Sequence, residues 1–288
     1  MSKITGNGHG ILYLCATPIG NLADITIRAL HVLREVEIIV CEDTRRTSKL
    51  LHYYGIKPHK LISYHRHSPP GRVDYILGFL EQGEDLALVT DAGMPGLSDP
   101  GSELVSHAWE NGFGVTVLPG SSVVTAALAV SGMPGDSFIF LGFLNRFSPG
   151  QRKKILDKLR YSKITIVIFE SPHRIMETLQ ELEEVFGEAC EIVMIRELTK
   201  KFEEIIRGTP GEHLCRFRKQ EPRGELTMVL TPDPAGKEQV DDRKLYDDLS
   251  TLAHAGIPPG FAVKAVSLLR EEPRNRVYKL QLKLKKEK

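Results

Sequence analysis

Leu86-Ala87-Leu88-Val89-Thr90, then Asp91-Ala92-Gly93-Met94-Pro95-Gly96-Leu97-Ser98-Asp99-Pro100-Gly101, then Ser102 to Glu110 form one strand, loop and helix unit. The short apolar run at 86–90 predicts a buried strand, and 102–110 an amphipathic helix. Between them, a loop rich in glycine and proline stands at the carboxyl end of a strand, where open α/β sheets bind ligands. Glycine lets backbone approach a ligand, and proline keeps such a loop stiff.

The same alternation runs through the first part of the chain. Strands are predicted at Ile11–Cys15, Glu37–Val40, Lys60–Ser63 and Val115–Leu118, and helices at Ile25–Arg34, Thr44–Tyr54, Arg72–Gln82 and Ser122–Val130. Gly55, Gly83 and Gly112 stop three of the helices. This spacing gives a mainly parallel sheet covered on both faces. A Gly-Met-Pro-Gly turn at 132–135 opens a second set of elements, with strands at Phe138–Phe143, Ile164–Phe169, Glu191–Ile195, Phe202–Arg207 and Glu225–Thr231. Ser148-Pro149 and Ser171-Pro172 each read as the N-cap and first residue of a helix. With one clear crossover helix among these strands, the second sheet is expected to be mixed. Pro232 to Lys237 reads as a linker. Helices follow at Asp241–Ala255, Gly260–Glu271 and from Asn275, in a segment too short to hold a strong core alone. The division is therefore an N-terminal α/β domain (1–120), a second α/β domain (121–234) and a helical extension with a basic tail (235–288).

The chain of 288 residues is 41% hydrophobic and 26% charged, the balance of a globular protein. No apolar run approaches a spanning length, so no membrane is expected as partner. The first residues lack the apolar core of a secretory signal. Cys15, Cys41, Cys190 and Cys215 form no C-x-x-C pair, so reduced thiols, no metal site and a cytoplasmic location are expected. Net charge is only +1, but seven Lys or Arg stand against one Asp between Arg146 and Lys163. Eight stand against three acids from Arg270 onward. Such local basic surfaces suit phosphate contacts.

Three more loops join Thr90–Gly101 at strand ends: Ala16 to Leu22, Cys41 to Arg46, and Leu118 to Ser122. Neither G-x-G-x-x-G nor G-x-x-x-x-G-K-[ST] occurs, so the dinucleotide and P-loop readings lack their phosphate loops. Eight ordered motifs carry a more specific signal: Thr17-Pro18-Ile19-Gly20-Asn21-Leu22, Glu42-Asp43-Thr44-Arg45, Asp91-Ala92-Gly93-Met94-Pro95 with Ser98-Asp99-Pro100-Gly101, Leu118-Pro119-Gly120, Phe140 to Leu144, Glu170-Ser171-Pro172-His173-Arg174, Arg196 to Lys200, and Arg223-Gly224-Glu225. In order and spacing this set resembles the ribosomal small subunit RNA methyltransferase I family, 2′-O-methyltransferases within the tetrapyrrole methylase superfamily. The resemblance runs from about residue 10 to 231. One departure is His65-Arg66-His67-Ser68-Pro69-Pro70, where an acidic, Asn-containing segment is expected.

The resemblance implies the two-domain tetrapyrrole-methylase-like fold of class III S-adenosylmethionine methyltransferases, with the cofactor in the cleft between domains, and a homodimer. The implied substrate is the ribose of a decoding-centre cytidine in 16S rRNA or the 30S subunit. Carried over by motif, cofactor contacts would be Pro18, Asp91, Ala92, Gly93, Met94, Ser98, Ser121, Leu141, Leu198, Gly224 and Glu225. A ribose hydroxyl needs a base for its proton, and His65, Glu42 and Asp43 are the candidates. Arg45, Arg46 and Arg174 suit phosphate with their guanidinium forks, and Lys153 and Lys154 lie on the basic helix. A methylase of a corrin or sirohaem precursor is the first alternative, since its substrate carboxylates would also welcome arginine. A non-catalytic RNA-binding protein that kept the fold is the second.

Overall fold

The computed structural model describes residues 8–97, 101–188, 190–220, 222–232, 242–270 and 272–286. The first sheet is built from β1 (Ile11–Cys15), β2 (Ile38–Cys41), β3 (Lys60–Ser63), β4 (Leu86–Val89) and β5 (Gly114–Leu118). Its order is β3-β2-β4-β1-β5 and every pairing is parallel. The central strands β2 and β4 are apolar and buried throughout, because helices cover both faces. α1 (Ile27–Glu35) and α2 (Thr44–Tyr53) lie on one face through Val32, Leu33 and Leu51. α3 (Arg72–Glu81) and α4 (Ser102–Glu110) cover the other through Ile76, Leu80, Leu104 and Ala108.

α5 (Val123–Ser131) follows β5 but buries Val124, Ala127 and Leu128 against the second sheet. That sheet contains β6 (Phe138–Phe143), β7 (Thr165–Glu170), β8 (Ile192–Arg196), β9 (Glu204–Gly208) and β10 (Leu226–Leu230) in the order β6-β7-β10-β8-β9. β6 and β7 are parallel and the remaining pairs antiparallel, the mixed sheet expected. α6 (Pro149–Leu159) crosses between β6 and β7, and its start is a capping box. Ser148 Oγ accepts the Gln151 N–H and Gln151 Oε1 accepts the Ser148 N–H.

Two expectations change here. α7 (Ile175–Phe186) does not start at Ser171-Pro172; those residues form a turn, and Arg174 is the residue before the helix. Burial of the Glu170 carboxylate, which accepts the Ser171 N–H at 2.8 Å, holds the chain in that turn. Between β9 and β10 stands α8 (Pro210–Lys219), a helix absent from the sequence reading. Its signal was legible: Thr209-Pro210-Gly211-Glu212 is a capping box with proline at the first helical position.

α9 (Asp242–His254), α10 (Pro259–Leu269) and α11 (Arg274–Lys286) pack around Leu245, Leu249, Val263, Val266 and Val277. With residues 158–163 they form one compact unit, while both sheets belong to the other. The linker after Pro232 lies outside the described residues. Two cations of the basic tail are spent within this unit, Arg270 on Asp248 and Arg276 on Asp242 and Glu272. Cys15, Cys41 and Cys190 are buried free thiols and Cys215 is exposed; burial pushes the Cys15 thiol up to about 12. Among the described residues, no helix is long and apolar enough to cross a membrane, and no cluster of three or more His, Cys, Asp or Glu could hold a metal ion.

Candidate active site

Parallel strands bring their carboxyl ends to one edge, so the loops after β1, β2 and β4 meet there. Thr17 and Gly93 exchange backbone hydrogen bonds, at 2.9 Å from the Thr17 N–H and 3.1 Å from the Gly93 N–H. Thr17 Oγ1 donates to the Thr90 carbonyl at 3.0 Å. The loop after β2 is tied in by Asp91, whose Oδ1 accepts the Asp43 N–H at 3.1 Å and whose Oδ2 lies 3.3 Å from Arg46.

In the second sheet, antiparallel pairing sets the amino end of β10 beside the carboxyl ends of β7 and β8, with Leu226 opposite both Glu170 and Arg196. Glu197 then takes a left-handed backbone, φ 50°, and folds its side chain across Gly224. Its Oε1 accepts the Glu225 N–H and the Lys200 ammonium, each at 2.9 Å, and Lys200 also reaches Glu225 Oε2 at 3.0 Å. Burial opposes ionisation of Glu197, but these donors outweigh it and lower its pKa. The two loop systems touch: a Cβ on Gly20 would stand 2.5 Å from Thr199 Oγ1.

A cavity of about 360 Å³ opens between these loops. The first sheet lends it Asp91, Ala92, Gly93, Met94 and Leu97. Ser122, Val123 and Val124 come from the start of α5, Phe143, Phe169 and Glu170 from β6 and β7, Gly224 and Glu225 from the turn before β10, and Leu226 and Thr227 from β10. Its charged lining residues, Asp91, Glu170 and Glu225, are all acidic. Glu170 is buried, with Oε2 accepting the Thr178 hydroxyl at 2.6 Å. A second cavity of about 240 Å³ lies against Thr17, Pro18, Leu22, Thr90, Asp91 and the Arg46, Thr47, Lys49 and Leu50 face of α2.

The residues named from sequence distribute unevenly. Asp91, Ala92, Gly93, Met94, Gly224 and Glu225 line the larger cavity, while Pro18 lines the smaller one. Ser98 lies outside the described residues. Ser121 does not line either cavity, and its hydroxyl donates to the Asp24 carbonyl at 3.1 Å. Leu141 is buried off the cavity, because a bulge between Phe140 and Gly142 shifts the strand's alternation and presents Phe143 instead. Leu198 packs beside the core under α5. Phe169, Glu170 and the α5 start were missed as cavity residues, although the rule of strand ends and helix starts that found Asp91 applies to them equally.

Among the base candidates, Asp43 caps α2 and is bound by Arg45 Nε and the Arg45 guanidinium at 3.1 and 2.7 Å. Those side-chain bonds, then the Arg45 N–H, hold its carboxyl well below the usual range. Glu42 is half-buried; burial, then the Asp91 carboxylate, raise its pKa. His65 is exposed on the loop after the edge strand β3, and its Nδ1 accepts the His67 N–H at 3.2 Å. It lines neither cavity.

Of the phosphate candidates, Arg45 is exposed but tied to Asp43, and Lys153 and Lys154 are exposed on α6. Arg174 is partly buried against Glu177 at 3.3 Å. Arg152, counted in the basic stretch, leaves that surface altogether: it is 4% exposed and bound to Glu177 and Glu181 at 3.2 and 2.5 Å.

The family model of the tetrapyrrole (corrin/porphyrin) methylases matches residues 11–213. The ribosomal RNA small subunit methyltransferase I of Thermotoga maritima is 46% identical over 229 residues, covering 80% of this chain and all of that protein. Its namesake in Bacillus subtilis is 40% identical over 276 residues, 93% of each chain. Among solved structures, a cobalt precorrin-4 methyltransferase of cobalamin biosynthesis superposes with a TM-score of 0.60 at 19% identity, covering 80% of this chain and 98% of that one. A diphthine synthase does so with a TM-score of 0.61 at 14%, covering 77% and 90%. These two share the fold.

Proposed function

Because the chain belongs to the ribosomal RNA small subunit methyltransferase I family of the tetrapyrrole methylases, and so is a methyltransferase using S-adenosylmethionine, we propose that it methylates 16S rRNA, at the ribose 2′-hydroxyl of a decoding-centre cytidine. The observation that carries this reading is the larger cavity, with apolar walls and only carboxylates among its charged lining residues. Its volume falls within the roughly 300–1,000 Å³ of small-molecule sites.

When bound, S-adenosylmethionine would supply an electrophilic methyl group on a positively charged sulfonium, with an ammonium beside a carboxylate at its amino-acid end. Asp91, Glu170 and Glu225 would hold the sulfonium and ammonium charge in this cavity, and Met94, Leu97, Val123, Phe143 and Phe169 would give an adenine apolar walls. The bridge between Thr17 and Gly93 and the buttress of Glu197 behind Gly224 fix both walls, so alignment rests on stiff backbone. Glu42, which lines neither cavity but whose carboxylate accepts the Asp91 N–H at the wall the two cavities share, takes the proton of the ribose hydroxyl; its raised pKa makes it a better proton acceptor than Asp43, which Arg45 holds ionised. The homodimer belongs to the same proposal and is checked by sedimentation.

The experiment is transfer of labelled methyl to purified 30S subunits that lack native methylation, with nuclease mapping of the product. A single 2′-O-methylcytidine in the decoding region supports the reading. No transfer to 30S subunits or naked rRNA, with clear transfer to a tetrapyrrole precursor, replaces it by the corrin or sirohaem alternative.

A further inference from the structure

The smaller cavity has its own chemistry and shares one residue, Asp91, with the larger. Arg46, Lys49 and Leu50 stand on one face of α2 at i, i+3 and i+4. Across from them, Pro18 and Leu22 add apolar surface, and Thr17, Thr47 and Thr90 are each less than 5% exposed. Arg46 makes one ion pair, with Asp91, and keeps a largely exposed guanidinium; among the described residues Lys49 makes none.

Resting on the methyltransferase reading above, we propose that this cavity is the acceptor subsite, where Arg46 and Lys49 bind the phosphodiester oxyanion of the nucleotide to be methylated. Three features argue for it. Asp91 is a common wall, so a ligand here abuts a donor in the larger cavity, as an in-line transfer requires. The charges differ: Arg46 and Lys49 line this cavity together with the shared Asp91, whereas the charged residues lining the donor side are all carboxylates. At about 240 Å³ the volume suits part of one nucleotide, and the hydrogen bonds between Thr17 and Gly93 hold it open in advance. Arg45, one position away, is engaged by Asp43 and does not line the cavity.

The test uses the full-length protein with Lys49→Gln, Arg46→Gln and Arg46→Lys, and Arg34→Gln as a charge-matched control on exposed α1 surface. Three quantities are read: KM for rRNA, Kd for S-adenosylmethionine, and the salt dependence of binding a dye-labelled single-stranded ribo-oligonucleotide. Lys49→Gln and Arg46→Gln are each expected to raise KM about tenfold and lower the salt slope by roughly one, with donor affinity within about twofold. Arg46→Lys keeps most of the affinity, and Arg34→Gln matches wild type. Wild-type KM and slope in both glutamine variants, with methylation of rRNA intact, overturn the subsite and leave the function standing. A wild-type protein that methylates no rRNA, yet loses oligonucleotide binding on Lys49→Gln, supports the subsite while the function fails. Tight, Lys49-dependent binding of a porphyrin polycarboxylate without oligonucleotide binding overturns the phosphodiester assignment.

Discussion

Thr17 and Gly93, 76 residues apart, close a two-bond backbone bridge that sews the loop after β1 to the loop after β4. Both cavities are framed by this seam, since Thr17 lines one and Gly93 the other. Thr17 is buried, and its hydroxyl satisfies the Thr90 carbonyl. Thr17→Val removes that donor without altering size, so an unfolding free energy lower by about 1–3 kcal/mol is expected in denaturant titration. An unchanged midpoint would show the hydroxyl to be dispensable.

Gly224 has φ 85°, and a Cβ there would stand 2.5 Å from Glu197 Oε1. Gly224→Ala must displace the Glu197 side chain or rotate the turn, at a cost of about 1–3 kcal/mol for the backbone alone. S-adenosylmethionine binding measured by calorimetry should weaken at least tenfold, and Tm should fall.

Glu42 gives a prediction in pH. Its pKa is raised in the fold, so its ionised form is disfavoured: the contribution to stability is full below the unfolded carboxyl pKa and lost as pH rises through the raised value. As the proton acceptor it must be ionised, so kcat rises over that same interval. Glu42→Gln keeps an acceptor oxygen for the Asp91 N–H and cannot ionise. It should therefore raise Tm at neutral pH while cutting kcat by about 10²–10⁴-fold. Full activity in this variant would remove Glu42 from the chemistry.

Arg152 is buried between two glutamates of α7, and burial raises the Glu181 pKa against the pull of Arg152. Arg152→Ala removes the buried guanidinium from beside Glu181, which is partly buried, and Glu177, which is exposed; a loss of about 0.5–3 kcal/mol is expected, followed by thermal unfolding. Adding Glu181→Leu to the alanine variant should restore part of that loss.

Thr209 caps α8, its hydroxyl accepting the Glu212 N–H while Glu212 accepts the Thr209 N–H. Thr209→Ala should cost about 0.5–2 kcal/mol and leave donor affinity unchanged, since α8 lines neither cavity.

Much of this molecule is written locally. Apolar runs such as Leu86–Val89 and Ile38–Cys41 announce buried strands, because a strand covered on both faces has no polar side to show. Gly-rich and Pro-rich turns after those strands announce the ligand edge, so the Asp91–Met94 loop could be named in advance. α8 was equally local, in Thr209-Pro210-Gly211-Glu212, and went unread.

Sequence alone therefore determined the elements, the alternation that makes the first sheet parallel and the loops able to meet a ligand, since periodicity, caps and turns act within a few residues. Tertiary structure alone decided the strand orders, the bulge that turns Phe143 rather than Leu141 into the cavity, the burial of Arg152, the fold of Glu197 over Gly224 and the division of Asp91 between two cavities. Each depends on groups far apart in the chain, whose pairing is set by the packing of whole sheets and helices.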